Sequence, residues 1–182
     1  MRWKFLLVLD LLNVFAFAFW GPFFTVYAVH LGAGISLAGF LYGFYTLLHA
    51  LSILLFGHWD KESRRVPMIG FGFLVQALAA IIFMLVHRPI LLVIPMGISA
   101  IAGGMIAPSW KALYTRAVKV GHEGKAWSFY DSGEAGVIAV GAVLAGLIAN
   151  YFGYRSIFIP LGLLNLLATV LCLRLPQIEI VK

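Results

Sequence analysis

Two carboxylates, Asp131 and Glu134, stand three residues apart inside a long apolar run. On a helix that spacing places both on one face. A charged side chain at the centre of a bilayer costs roughly 2.5–3.5 kcal/mol on insertion scales, so each such group calls for a partner or a function. Asp10, Asn13 and Trp20 lie in a second apolar run and His49 in a third, while Lys111 and Arg116 close a fourth. Together these residues can form one polar layer near one end of a helical bundle. Neighbouring carboxylates in a low-dielectric setting can be tuned to load and release a proton near neutral pH, which makes the layer a proton relay or a substrate-ion site. The same groups can instead pair as Asp131 or Glu134 with Lys111, Arg116 or Lys125, and only hold helices together. Glu134 is the deeper of the two carboxylates and the better candidate for coupling. Asp10 fits the pathway or a structural pair with a nearby base. His49 fits a proton carrier or a satisfied bundle histidine.

Aromatic residues raise a parallel choice. Asn13, Phe17, Trp20, Phe24 and Tyr27 recur at helical spacing, and Tyr42 and Tyr45 follow in the next run. Such a stripe suits the wall of a solute cavity or plain helix packing.

The elements that must position these groups are long apolar helices. A spanning helix needs about 20 apolar residues. Six runs qualify, at about 5–29, 36–56, 67–86, 90–113, 126–151 and 157–175. The expected fold is all-α and membrane-integral, a single domain of six transmembrane helices over residues 1–182. Gly21-Pro22 predicts a kink in the first span, since proline removes a backbone donor and clashes one turn back. Gln76 is the strongly polar residue of the third span. The fourth is rich in small residues, among them Gly97, Ser99, Ala100, Gly103 and Gly104. Gly39 and Gly43 in the second span, and Gly136, Ala139 and Gly146 in the fifth, allow another helix to approach closely.

Composition supports the bilayer as solvent. The 182-residue chain is 63% hydrophobic and only 11% charged, with a mean hydropathy of +1.00. A soluble domain carries about 25% charged residues. The net charge of +6 does not point to nucleic acid, because the basic residues lie in turns and form no basic patch interleaved with aromatics. It suits turns facing anionic headgroups. The lone Cys172 excludes a disulfide framework and a cysteine-based metal site. No cleavable leader is read at the N-terminus, where the first apolar run is too long for one.

The longest polar interruption is Gly57-His58-Trp59-Asp60-Lys61-Glu62-Ser63-Arg64-Arg65. With the N-terminus in the cytoplasm, that side holds Arg2, Lys4, Lys61, Arg64, Arg65, Lys111, Arg116, Lys119, Lys125, Arg174 and Lys182. The other side holds Arg88 and Arg155. That asymmetry predicts both termini cytoplasmic in a plasma (inner) membrane protein.

Six spans with a charged turn after the second resemble one half of a major facilitator superfamily transporter. Asp60, Lys61, Arg64 and Arg65 match the family's loop signature, although Gly57 sits one residue closer to the aspartate and Ser63 replaces the second glycine. The stretch from Gly136 to Gly146 is similar to the glycine-rich fifth-span signature, with Ala142 in the proline position. Gly153-Tyr154-Arg155 resembles the turn that opens the sixth span. The proton-coupled pattern of fourth spans is missing, with Val93 and Met96 in its places. The resemblance implies alternating access around a central site, and a second half to complete it, either a second copy or another protein. It also implies that spans two and five face that second half, and that the loop acts as a conformational latch. Asp60 is then expected near a helix N-terminus, with Arg64 and Arg65 meeting acids of another copy.

The resulting expectation is a secondary transporter of a small solute, working as a homodimer in the lipid bilayer, without a cofactor or metal. No nucleotide-binding loop is present to make it ATP-driven. The alternative is a non-transporting regulatory or assembly subunit, or a fragment of a longer transporter. An enzyme is not expected, since no metal-ligand spacing and no nucleophile–base arrangement is visible.

Overall fold

The computed structural model describes residues 2–174. Among these residues the structure is all-helical, with seven α-helices: α1 (Arg2–Ala18), α2 (Phe24–His30), α3 (Ile35–His58), α4 (Arg65–Leu85), α5 (Val93–Ala117), α6 (Glu123–Phe152) and α7 (Phe158–Cys172). Short 3-10 turns at Glu62–Arg64, Pro89–Leu92 and Tyr154–Ile157 lead into α4, α5 and α7. With those turns included where they apply, the segments containing α3 to α7 are long and apolar enough to cross a membrane. They fall on the five later expected spans to within a few residues. The end of the sixth expected span, at 175, lies outside the described residues.

The first expected span differs. Instead of a kink, the chain breaks into α1 and α2 across residues 19–23. Pro22 has no N–H to continue the ladder. The gap is bridged by turn hydrogen bonds, Gly21 N–H to Phe17 O at 2.9 Å and Phe23 N–H to Trp20 O at 3.0 Å. A side chain at Gly21 would meet the Phe17 ring 2.6 Å from its Cβ.

Packing places α5 at the centre, against α3 on one side and α4 on the other, while α7 packs on α4 and α1. Helix α6 leans mainly on α1. The small residues of α5 and α4 explain the close approach. Gly104 lies against the Ser52 backbone, and a Cβ on Gly72 would stand 3.0 Å from Ala102 O. Two apolar clusters fill the bundle. One gathers Trp20, Phe24, Tyr27, Phe83, Met96 and Phe158, and the other gathers Leu6, Leu9, Phe73, Trp110 and Tyr114. Helices α3 and α6 are the least buried of the long elements.

Hydrogen bonds across the bundle fix which ends lie together. Trp110 Nε1 donates to Leu6 O at 3.2 Å, Tyr114 Oη to Ala126 O at 2.7 Å, and Cys172 Sγ to Val66 O at 3.5 Å. The start of α1, the α3–α4 and α5–α6 turns and the end of α7 therefore share one end. Lys4, Lys61, Arg64, Arg65, Arg116, Lys119, Lys125 and Arg174 are all at that end. Arg155 is at the other, where its Nη2 donates to Val86 O at 3.3 Å. Gly153 makes that turn possible, with φ at +85°, a conformation open to glycine.

Candidate functional site

The polar layer forms a cavity. A space of about 370 Å³ is lined by α1, α3, α4, α5 and α6. Asp10 and Asn13 enter from α1, His49 from α3, Gln76 from α4, Lys111 from α5, and Tyr130 and Glu134 from α6. Phe17, Tyr42, Tyr45 and Trp110 supply aromatic wall. Along α1 the polar positions 10 and 13 sit between Leu9, in one apolar cluster, and Ala16, in the other.

Asp10 is only 5% exposed. The Tyr130 side chain lies within reach of both Asp10 and Glu134. Lys111 is near enough for its charge to act on Asp10. The Tyr130 ring is held in turn by Trp110, centroid to centroid 4.8 Å, and by Trp127 at 5.6 Å. The His49 ring stacks on Tyr45 at 5.9 Å and reaches the Gly103 backbone. A Cβ at Gly103 would stand 2.9 Å from His49 Nε2, so the glycine makes room for the imidazole. Asn13 Oδ1 is buried and has no hydrogen-bond partner among the described residues.

Of the residues singled out in the sequence, Asp10, Asn13, His49 and Glu134 come together. Two do not join them. Asp131 is exposed on α6 and stays outside the cavity wall. Residues three apart differ by about 60° around a helix, and the edge of the cavity falls between them. The residue that shares the cavity face with Glu134 is Tyr130, one turn earlier. Trp20 is 2% exposed, packed edge-on to Phe17, Phe24 and Tyr45. The break after Ala18 turns it into the core, with Phe24 and Tyr27, while Asn13 and Phe17 remain on the wall. Tyr130, Gln76 and Thr46 are additions that sequence reasoning did not select. Spacing of four from Glu134 was the available signal for Tyr130.

The loop motif forms a hydrogen-bonded ion pair within the chain. Arg65 grips Asp60 through Nε at 2.8 Å and Nη2 at 2.6 Å to Oδ2. Ser109 Oγ donates to Asp60 Oδ1 at 3.1 Å, which ties the α3–α4 turn to buried α5. These bonds, Arg65 first, hold the Asp60 carboxyl below the usual carboxylate range. Arg116 Nη1 meets Glu62 Oε1 at 2.8 Å in a second, exposed bridge to α5. Arg65 is thus engaged inside its own chain. Asp60 is held by the Ser109 hydroxyl within α5 and by Arg65 at the start of α4. Lys61 and Arg64 are exposed.

The small residues of the open helices divide. Gly39, Gly43 and Gly136 have open space beyond them, and Ala139 is exposed. Gly146 instead faces Phe23 inside the chain, 3.4 Å from where a Cβ would stand.

No curated protein matches the chain. The family model described as Major Facilitator Superfamily matches residues 6–181. The ordered helices, the loop ion pair and the glycine-aromatic-arginine turn agree with that match, and the chain belongs to the Major Facilitator Superfamily.

Proposed function

We propose that the chain is one half of a secondary transporter that moves a small solute by alternating access, with α1 and α2 together crossing as a sixth, broken span. The observation that carries this reading is the cavity. It gathers Asp10, Asn13, His49, Lys111 and Glu134 within an otherwise apolar bundle, where polar groups are costly and mark a pathway. The unpartnered Asn13 Oδ1 offers an acceptor to a solute donor, since a buried acceptor left alone costs about 1–3 kcal/mol.

The reading includes a homodimer in the plasma (inner) membrane with both termini cytoplasmic. One bundle leaves the cavity open on a side that a second half would close. Helices α3 and α6, with Gly39, Gly43, Gly136 and Ala139 on open faces, are the contact. Glu134 is the coupling group.

Uptake of labelled solutes into liposomes containing only this protein tests the reading. Accumulation above protein-free liposomes supports it. Uptake that never exceeds the blank, across cationic, zwitterionic and anionic solutes, favours a non-transporting subunit.

A further inference from the structure

A second cavity lies at the basic end, apart from the polar layer. It occupies about 420 Å³ at the α5–α6 turn. Lys119, His122 and Lys125 stand on its rim, and Val118, Ala126 and Phe129 give it an apolar wall. Among the described residues no acidic side chain lines it. The neighbouring Glu123 is turned back on the loop, where its Oε1 accepts the Gly121 N–H at 3.1 Å. Gly121 adopts φ +82°, which lets the backbone reverse tightly enough to present that N–H.

The site lies at the start of α6, a helix long and apolar enough to cross a membrane. Basic pockets between membrane helices suit phosphate headgroups. An apolar wall beside a cationic rim suits a ligand that is charged at one end and hydrocarbon at the other.

We propose that the α5–α6 turn is a binding site for an anionic phospholipid. The phosphate is held by Lys119, His122 and Lys125, and the glycerol and first acyl carbons lie against Val118, Ala126 and Phe129. The site serves neither the cavity of Asp10 and Glu134 nor the Asp60 ion pair.

Native mass spectrometry of the purified protein, titrated with phosphatidylglycerol and with phosphatidylcholine, reads the retained lipid directly. The wild type is expected to retain phosphatidylglycerol over phosphatidylcholine by roughly tenfold. Lys119→Gln/Lys125→Gln is expected to bring that ratio to within about twofold, and Lys125→Gln alone to lower it about threefold. Lys61→Gln/Arg174→Gln removes the same charge from the same end and is expected to keep most of the preference. An unchanged ratio in the first double variant, or equal loss in both double variants, overturns the site. Displacement of phosphatidylglycerol by an equal concentration of inorganic phosphate also overturns it, because a free anion has no use for the apolar wall.

Discussion

Asp10 and Tyr130 meet across the seam between α1 and α6, and the same Tyr130 side chain also reaches Glu134. One phenol therefore stands between two carboxylates carried by different helices. A hydroxyl in that position donates to whichever carboxylate is ionised and can pass the preference between them. The seam is also where a rocking helix would change the distance between the two acids.

Tyr130→Phe removes the hydroxyl and keeps the ring against Trp110 and Trp127. A hydrogen bond to a charged group contributes about 1.5–3 kcal/mol, so transport is expected to fall roughly tenfold to a hundredfold. The yield of folded protein, read by size-exclusion chromatography, is expected to hold. Unchanged transport with a lower folded yield would make Tyr130 a packing residue.

The Asp60 ion pair has a definite pH sign. Its carboxyl is held below the usual carboxylate range by Arg65 and Ser109. A group with a depressed folded pKa contributes stability above its unfolded pKa and loses it as pH falls through the folded value. The pair is therefore intact at neutral pH and weakens only below about 4. Asp60→Asn is expected to lower stability at pH 7 by about 2 kcal/mol, because it leaves the partly buried Arg65 without its charge partner. Ser109→Ala is expected to cost about 1 kcal/mol. Thermal unfolding in detergent at pH 7 and pH 3 measures both, and a deficit of equal size at the two pH values would remove the ionised Asp60 from the account.

Two glycines on neighbouring helices separate folding from assembly. Gly104 presses on the Ser52 backbone, whereas Gly39 faces open space. Gly104→Val is expected to destabilise the bundle by about 1–3 kcal/mol through overpacking. Gly39→Leu and Gly136→Leu are expected to leave the monomer stable and to lower the dimer fraction in lipid nanodiscs about tenfold by blocking close approach. A stable Gly39→Leu protein with undiminished dimer would take α3 out of the interface.

Much of this arrangement was legible in the sequence, for reasons that differ by element. Helices α3 to α7 are long apolar runs bounded by charged or glycine-containing turns, and composition alone finds them. The break at Gly21-Pro22 was legible as a disturbance but not in degree. Whether a proline kinks or ends a helix depends on whether neighbours pack the freed segment, here Trp20 and Phe24 sinking into the core. The cavity was legible as a set of polar residues, and Asp10, His49 and Glu134 share it. Its edge was not, because the 60° between Asp131 and Glu134 matters only once α6 has a neighbour. Arg65 was legible as a loop cation. Its bond to Asp60 was not, since a five-residue separation becomes a contact only after the turn folds.

Sidedness follows from the segregation of bases to one end. Ser63 lies at the basic end, and Arg88 lies close to Pro89 at the other. In intact cells an impermeant thiol reagent is expected to label Arg88→Cys and to spare Ser63→Cys. The opposite pattern would invert the orientation.

If Glu134 couples a proton to solute movement, Glu134→Gln separates that role from a structural one. Glutamine keeps the size and hydrogen-bonding reach of the side chain and removes its titration. In liposomes with an imposed pH gradient, Glu134→Gln is expected to exchange solute at a rate near wild type while gradient-driven accumulation disappears. A variant that still accumulates solute in response to the gradient, even with less folded protein, would contradict it and return Glu134 to a structural partner of Lys111.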